Sequence, residues 1–303
     1  MTEVLLREPE VAVPPSAEAP RGDAPSLSRR TLGLRRTLAG QPTLLLAILF
    51  LLFVIAWAVA PSAFTHRDPL VGDISERLEP PSAAHLFGTD NLGRDVWTRV
   101  VYGAAYSLTA TALAVAIALV VGALLGLLAG FLRGWVDDAL MRVMDVVLAI
   151  PAVLLSLAII TALGFGTVNV AIAVGLASAA SFTRVMRAEA VSISTALYVE
   201  AARASGVRWH AILRRHVLPN AVGPVLSLSA LEFGTAVLAI SSLSFLGFGA
   251  PPPTPEWGAL ISEGRNYLAV AWWLTTLPGL VIVATVLAAN RVSHGFERNG
   301  GNR

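Results

Sequence analysis

The stretch EAARASGVRWHAILRRHVLPN, Glu200–Asn220, gathers an acid, four arginines and two histidines in a chain that is 55% hydrophobic and only 14% charged. Such residues could grip, catalyse or bind a nucleotide. Catalysis has little to build on. The 303 residues hold five histidines, none inside an apolar run, and there is no H-E-x-x-H and no visible catalytic pair. The chain has no cysteine, which removes disulfides and thiolate metal sites, and no His or carboxylate cluster marks a metal path. It also has no lysine: all 22 basic residues are arginine, so the phosphate-reaching Lys of a P-loop cannot be supplied here. The reading is a non-catalytic chain whose polar stretch lies at a surface.

The elements that must carry it are membrane spans. A bilayer core takes about 20 apolar residues as a helix. Thr43–Ala60 is the first such run, behind a Pro-, Ala- and Arg-rich tail at 1–42 that is expected to be disordered and uncleaved. A second span lies within Ala105–Leu132. Val146–Thr183 carries no charge and suffices for two crossings, with the third helix starting near Asp138 and GFGT, Gly164–Thr167, as the turn. A fifth runs from about Val222 to Phe248, and a sixth over Val270–Ala289. The expected organisation is therefore a tail at 1–42, a first span at 43–60, an external segment at 61–104, a five-helix core at 105–290 with a cytoplasmic loop at 184–221, and a tail at 291–303. With six spans both termini share a side. Placing them in the cytoplasm puts 17 arginines inside and 5 outside, which is the positive-inside bias. Trp57, Trp97, Trp257, Trp272 and Trp273 fall near the expected outer surface, either as an aromatic belt or as ordinary packing.

Within the polar stretch, Tyr198–Ser205 reads as a helix that Gly206 stops, and Arg208–Val217 as a second helix. Trp209, Ile212, Leu213 and Val217 make one apolar stripe. Arg215 and His216 suit the negative end of the helix dipole. Pro219 either ends the element or opens the next span at its first turn. Periodicity leaves two uses of the stripe open: lying on the lipid surface, or docking in a groove of a soluble partner.

The positions Glu200, Ala201, Ala202, Gly206, Leu218 and Pro219 resemble the cytoplasmic loop of ABC importer permeases. GTDNLGRDVWTRVVYGAAYSL (Gly88–Leu108) and SFLGFGAPPPTPEWGALISEG (Ser244–Gly264) resemble the peptide and nickel branch of that family, most closely its C-type subunit. The resemblance covers about residues 43–295. It implies an all-α polytopic membrane protein of the type I importer permease fold, in the bacterial cytoplasmic membrane. It implies short peptides as substrate, with nickel as the alternative, and no cofactor on this chain, ATP and Mg being bound by partner ATPases. The implied partners are a B-type permease, two ATP-binding subunits and an extracytoplasmic binding protein, with no nucleic acid. Glu200, Gly206, Trp209, Ile212, Leu213 and Arg215 would then belong to a coupling helix seated in the ATPase.

Two further features concern packing and pathway. Ala114, Ala118, Gly122, Gly126 and Gly130 recur every fourth residue as a ridge of small side chains, for contact with the partner permease or for packing inside this subunit. Glu232 is the one acid placed deep in the membrane, about 15 Å along its span at 1.5 Å per residue. It lines the pathway, is protonated, or bonds a neighbouring helix. Related permeases often carry a Glu nearer position 240, where this chain has Ile240. Asn91–Tyr102 reads as a short outer helix, and Pro251–Pro253 with Trp257 as a stiff external loop; by resemblance both border a gate, and otherwise they only close the bundle. A secondary transporter is the rival class, but it should show internal repeats or several buried ionisable groups.

Overall fold

The computed structural model describes the backbone of residues 42–300 and the side chains of 42–295. The disordered tail expected at 1–42 lies, but for Pro42, outside the described residues, as do 301–303. Among the described residues the chain is helical, with no strand and one isolated bridge between Thr89 and Asp95. Five helices are long and apolar enough to cross a membrane, or six if one bent pair counts as a span.

Helix α1 is Pro42–Val59 and α2 is Val96–Leu132. Asp95 starts α2 by accepting the Thr98 N–H at 2.8 Å, the usual work of an acidic N-cap. The short outer helix expected over Asn91–Tyr102 is not separate: from Val96 it is the first turns of α2. Gly103 does not interrupt it, because its missing side chain is needed for close approach to the Pro255 carbonyl.

The segment expected as the third crossing differs from expectation. It is two helices, α3 (Trp135–Ala149) and α4 (Ala152–Leu163), bent by 98°. Pro151 has no N–H to donate and drives the residue before it out of the helical region. Ile150 is accordingly extended, at φ −90° and ψ 130°. The turn at Gly164–Gly166 leads into α5, Thr167–Ser194.

Helix α6 is Leu197–Ala204 and α7 is Trp209–Ile212, which passes through a π-helical turn at Leu213–Val217 into α8, Leu218–Phe245. Pro219 cannot donate to the ladder. The wider turn before it, closed by the Leu218 N–H on the Leu213 carbonyl, carries the helix past the proline without a stop. Pro219 thus opens the next span, and Trp209–Phe245 is one continuous helix. Helix α9 (Trp257–Gly264) and α10 (Trp273–Gly300) complete the bundle.

The α2–α5 pair is the most closely packed. The small-residue ridge lies in it, with Ala114 and Ala118 buried. A Cβ on Gly122 would come 3.0 Å from the Thr183 nitrogen; on Gly126, 2.8 Å from Met186 Cβ; on Gly130, 2.8 Å from Ala190 Cβ. All of these belong to α5. The ridge is closed by this chain's own helix and offers no face to another subunit, which is what close backbone approach in lipid favours.

The tryptophans also pack inward. Trp57, Trp257 and Trp273 are buried in one cluster with Val54, Val100 and Leu274. Trp97 meets Trp57 edge-on at 5.1 Å, and of the five only Trp272 is mainly exposed. An aromatic belt does not describe them.

Two ends of the bundle are distinct. One holds Gly88–Thr98, the Gly164–Gly166 turn and the loop before Trp257, tied by the Gly166 N–H to the Phe248 carbonyl at 3.0 Å. The other holds the end of α2 and the α6–α7 pair. Thr43 and Arg291, bonded at 3.0 Å, lie at that second end too, so α1 starts and α10 finishes there.

Candidate functional site

Two helices and a glycine turn build the surface at the second end. The Gly206 N–H bonds the Arg203 carbonyl at 3.0 Å and the Val207 N–H bonds Ala202 at 3.1 Å, so two C-terminal carbonyls of α6 are satisfied. Gly206 sits at φ +78°, a conformation that costs an L side chain but not glycine. Arg208 then caps α7.

The apolar stripe does not point outward as a whole. Ile212 and Val217 are buried with Val199 and Ala190, and Leu213, Ala202, Phe131 and Ile193 pack against them. The reason is the span-sized helices α2 and α5, which end here and present apolar ends that need covering. Neither lipid nor a partner can use what is already filled. Trp209 alone of the stripe is free, at 62% exposure, although its ring also meets Phe131 at 6.0 Å. What faces out is Glu200, Ala201, Arg208, Arg214, Arg215, Leu218 and Pro219, with Leu197 at 81% exposure. Arg203 sits 5.9 Å over the Phe131 ring. This is a mixed charged surface with two large apolar points. A helix meant to float on lipid would leave its whole stripe free. This one uses the stripe to bind itself to the ends of α2 and α5.

Neither Val199 nor Phe131 is marked by the sequence as part of this site. Val199 stands inside the expected helix, but its inward direction depends on where α2 ends.

The first end is held by charge. Arg94 Nε donates to Asp90 at 2.6 Å and its Nη2 to Glu263 at 3.1 Å. Arg99 Nη1 donates to Asp90 and to Glu263, each at 2.8 Å, and Nη2 reaches the Pro253 carbonyl at 3.3 Å. Both arginines are buried. Counting charge by side could not reveal that these arginines, expected outside, are internal. The cluster ties GTDNLGRD to the segment around α9. Tryptophans repeat the tie: Trp257 Nε1 donates to the Val100 carbonyl at 2.9 Å and Trp273 Nε1 to Thr89 at 3.2 Å. Beside it His85 meets Asp95 at 2.9 Å. Glu256, also buried, accepts the Ala250 N–H at 2.9 Å and a bond from Ser244. Burial pushes its carboxyl above the usual carboxylate range, and the Ala250 and Ser244 bonds pull it partly back. The expected stiff loop at Pro251–Pro253 is therefore anchored at its end by Glu256 and Trp257.

Glu232 lies in a seam between α2, α5 and α8, lined by Ala114, Val115, Ala118, Val174, Ser178 and Ala236 and too tight to hold a water. Ser178 of α5 lines the same seam beside it. The seam is closed within this chain, with Ser178 as the polar side chain nearest to hand for a link to a neighbouring helix.

The comparisons with known proteins agree with one another. The family profile described as binding-protein-dependent transport system inner membrane component matches residues 122–299. The dipeptide transport system permease protein DppC of Alkalihalophilus pseudofirmus is 35% identical over 247 residues, 82% of this chain and 80% of that one. The glutathione transport system permease protein GsiD of Shigella flexneri is 43% identical over 217 residues, 72% of each. Among solved structures, the MetNI methionine ABC transporter, in inward-facing conformations, shares the fold at a TM-score of 0.51 and 17% identity, over 65% of this chain and 96% of that one. By profile, sequence and fold, this chain belongs to the binding-protein-dependent transport system inner membrane components.

Proposed function

We propose that this chain is the C-type permease subunit of an ATP-driven importer of short peptides in a bacterial plasma membrane. The likeness to dipeptide and glutathione permeases supports peptides as the substrate class. In this reading the chain crosses the membrane six times, with α3–α4 as the broken third span, and both termini face the cytoplasm. It pairs with a B-type permease and works with two ATP-binding subunits and an extracytoplasmic binding protein. It carries out no catalysis itself, and ATP and Mg belong to its partners.

One observation carries the mechanism. The Gly206-capped helix pair shows Glu200, Trp209 and the arginines outward while Ile212 and Val217 lock it to the bundle. A surface fixed in this way converts a partner's motion into helix motion. A ligand shifts a two-state equilibrium only by its differential affinity for the two states. The ATPases must then grip this surface differently with and without ATP. The spans alternate between outward-open and inward-open as a result.

The test is reconstitution. Vesicles holding the complete complex should take up short peptides only with ATP and binding protein. Uptake by this chain and its permease partner without ATPases, driven by an ion gradient, would overturn the reading.

Glu232 has a defined expectation under it. Glu232→Gln keeps the size and a polar end of the side chain in this closed seam, so uptake of all tested peptides should stay within about twofold of the parent. A loss of more than tenfold, selective for certain peptides, would return Glu232 to the pathway.

A further inference from the structure

A groove of about 430 Å³ opens between the last turns of α8, Ile261 of α9 and one face of α10. Leu238, Phe245, Leu246 and Val283 line it, and only Ser241 and Ser242 interrupt the apolar wall. Leu238, Leu246 and Val283 are each about half exposed, so this chain does not roof the groove. Gly279 keeps it wide. A Cβ there would meet nothing nearer than Ile261 Cδ1 at 3.9 Å, whereas at Gly122 or Gly126 it would strike α5. Here the glycine leaves room that no helix of this chain takes up. Both α8 and α10 are long and apolar enough to cross a membrane, so the occupant is an acyl chain or another helix.

A second observation chooses between them. Arg265 holds its guanidinium 5.8 Å over the Phe245 ring, on the groove's own wall. It is exposed and has no ion pair among the described residues. The acid two positions before it, Glu263, is already taken by Arg94 and Arg99. A guanidinium offers five donors and no acceptor, in a fork that matches phosphate oxygens. Beyond it Leu268, Val270 and Trp272 are exposed. A cation followed by exposed Leu, Val and Trp suits the headgroup level, where apolar parts turn to the acyl layer and charge to water. An apolar partner helix would fill the groove and leave Arg265 without an acceptor. A phospholipid meets both needs.

We propose that this groove binds one anionic phospholipid, with an acyl chain between α8 and α10 and the phosphate on Arg265. A choline headgroup would bring a second positive charge to the same arginine, and a glycerol headgroup would not. The proposal requires only that the chain lies in a bilayer. It is independent of what the chain transports and of what drives it.

The test is native mass spectrometry of the complete complex, stripped of lipid in detergent and titrated with dioleoyl phosphatidylglycerol or dioleoyl phosphatidylcholine. Comparing variant with parent cancels lipids held elsewhere in the complex. The parent should bind phosphatidylglycerol about fivefold tighter at this site, the size expected of one arginine facing an anionic lipid. Arg265→Gln should bring the two lipids level. Gly279→Leu, which fills the groove, should lose one bound lipid of either kind. Inorganic phosphate has no chain for the groove and should displace nothing. An unchanged preference in Arg265→Gln, an unchanged lipid count in an assembled Gly279→Leu complex, or displacement by phosphate alone would overturn the proposal. Arg265 is exposed, so its variant tests the headgroup contact even where Gly279→Leu fails to assemble. Leu246→Cys, in a chain with no other cysteine, should react with a lipid-soluble maleimide when the complete complex is in bilayers. Failure to react would place a partner subunit in the groove and overturn the proposal equally.

Discussion

Glu200→Arg is expected to abolish peptide uptake and the peptide-stimulated part of ATP hydrolysis in the assembled complex, while the amount of chain in the membrane stays at the parent's level. Glu200 is exposed in the first turn of α6 and makes no contact that holds the bundle together. Its loss weakens only a favourable pairing with the helix dipole, a small effect on a surface helix. Folding should hardly notice. The charge presented to a partner reverses completely. Gly206→Val should reach the same end by another route. A Cβ at Gly206 would meet nothing within 4 Å, so there is no clash to relieve. The penalty is the left-handed backbone, about 1–2 kcal/mol for an L residue. Relaxing it would turn α7 away from α6. Gly206→Asn, which tolerates that conformation better, should keep a large part of the transport. Normal coupling in both Glu200→Arg and Gly206→Val, read by ATP hydrolysis with and without peptide, would remove the function assigned to this surface.

The second large effect belongs to the other end and concerns stability. Arg99 is 1% exposed and holds Asp90, Glu263 and the Pro253 carbonyl at once. In Arg99→Met the buried Asp90 and the partly buried Glu263 lose one of their two arginines and keep Arg94. Breaking a buried pair from one side typically costs about 3–5 kcal/mol, because the remaining charge stays out of water. The variant should melt well below the parent in lipid nanodiscs and lose the tie between the GTDNLGRD segment and α9. Arg77→Met, at an exposed position of the same region, should melt with the parent. Equal melting of parent and Arg99→Met would show that this cluster is not what holds this end of the bundle.

How far these residues could be read from the sequence varied with the range of the interactions. The apolar runs are long-range composition, and α1, α2, α5, α8 and α10 follow them. Gly206 and the α6–α7 pair are local chemistry, a helix stop between two periodic stretches, and stood in plain view. The elbow at Ile150–Pro151 was legible in principle, since proline lacks the N–H. It was hidden by a charge-free run that reads as two clean crossings. The inward direction of Ile212 and Val217 was not legible. Periodicity says that a stripe exists, and only the positions of Phe131 and Ala190 say what covers it. The same holds for Gly122, Gly126 and Gly130, whose spacing predicts close approach but not whose backbone approaches. The Asp90–Arg94–Arg99–Glu263 cluster joins residues more than 160 positions apart, a pairing no local pattern encodes.

A cysteine at Ser205, beside the Gly206 turn, would decide whether this surface is a motor's handle. In the complete complex a short bifunctional reagent should join Ser205→Cys to an ATP-binding subunit, and trapping the ATP-bound state should change the yield severalfold. Reagent reaching that cysteine only from the extracytoplasmic side, or no joining in a complex that still imports peptide, would contradict the mechanism.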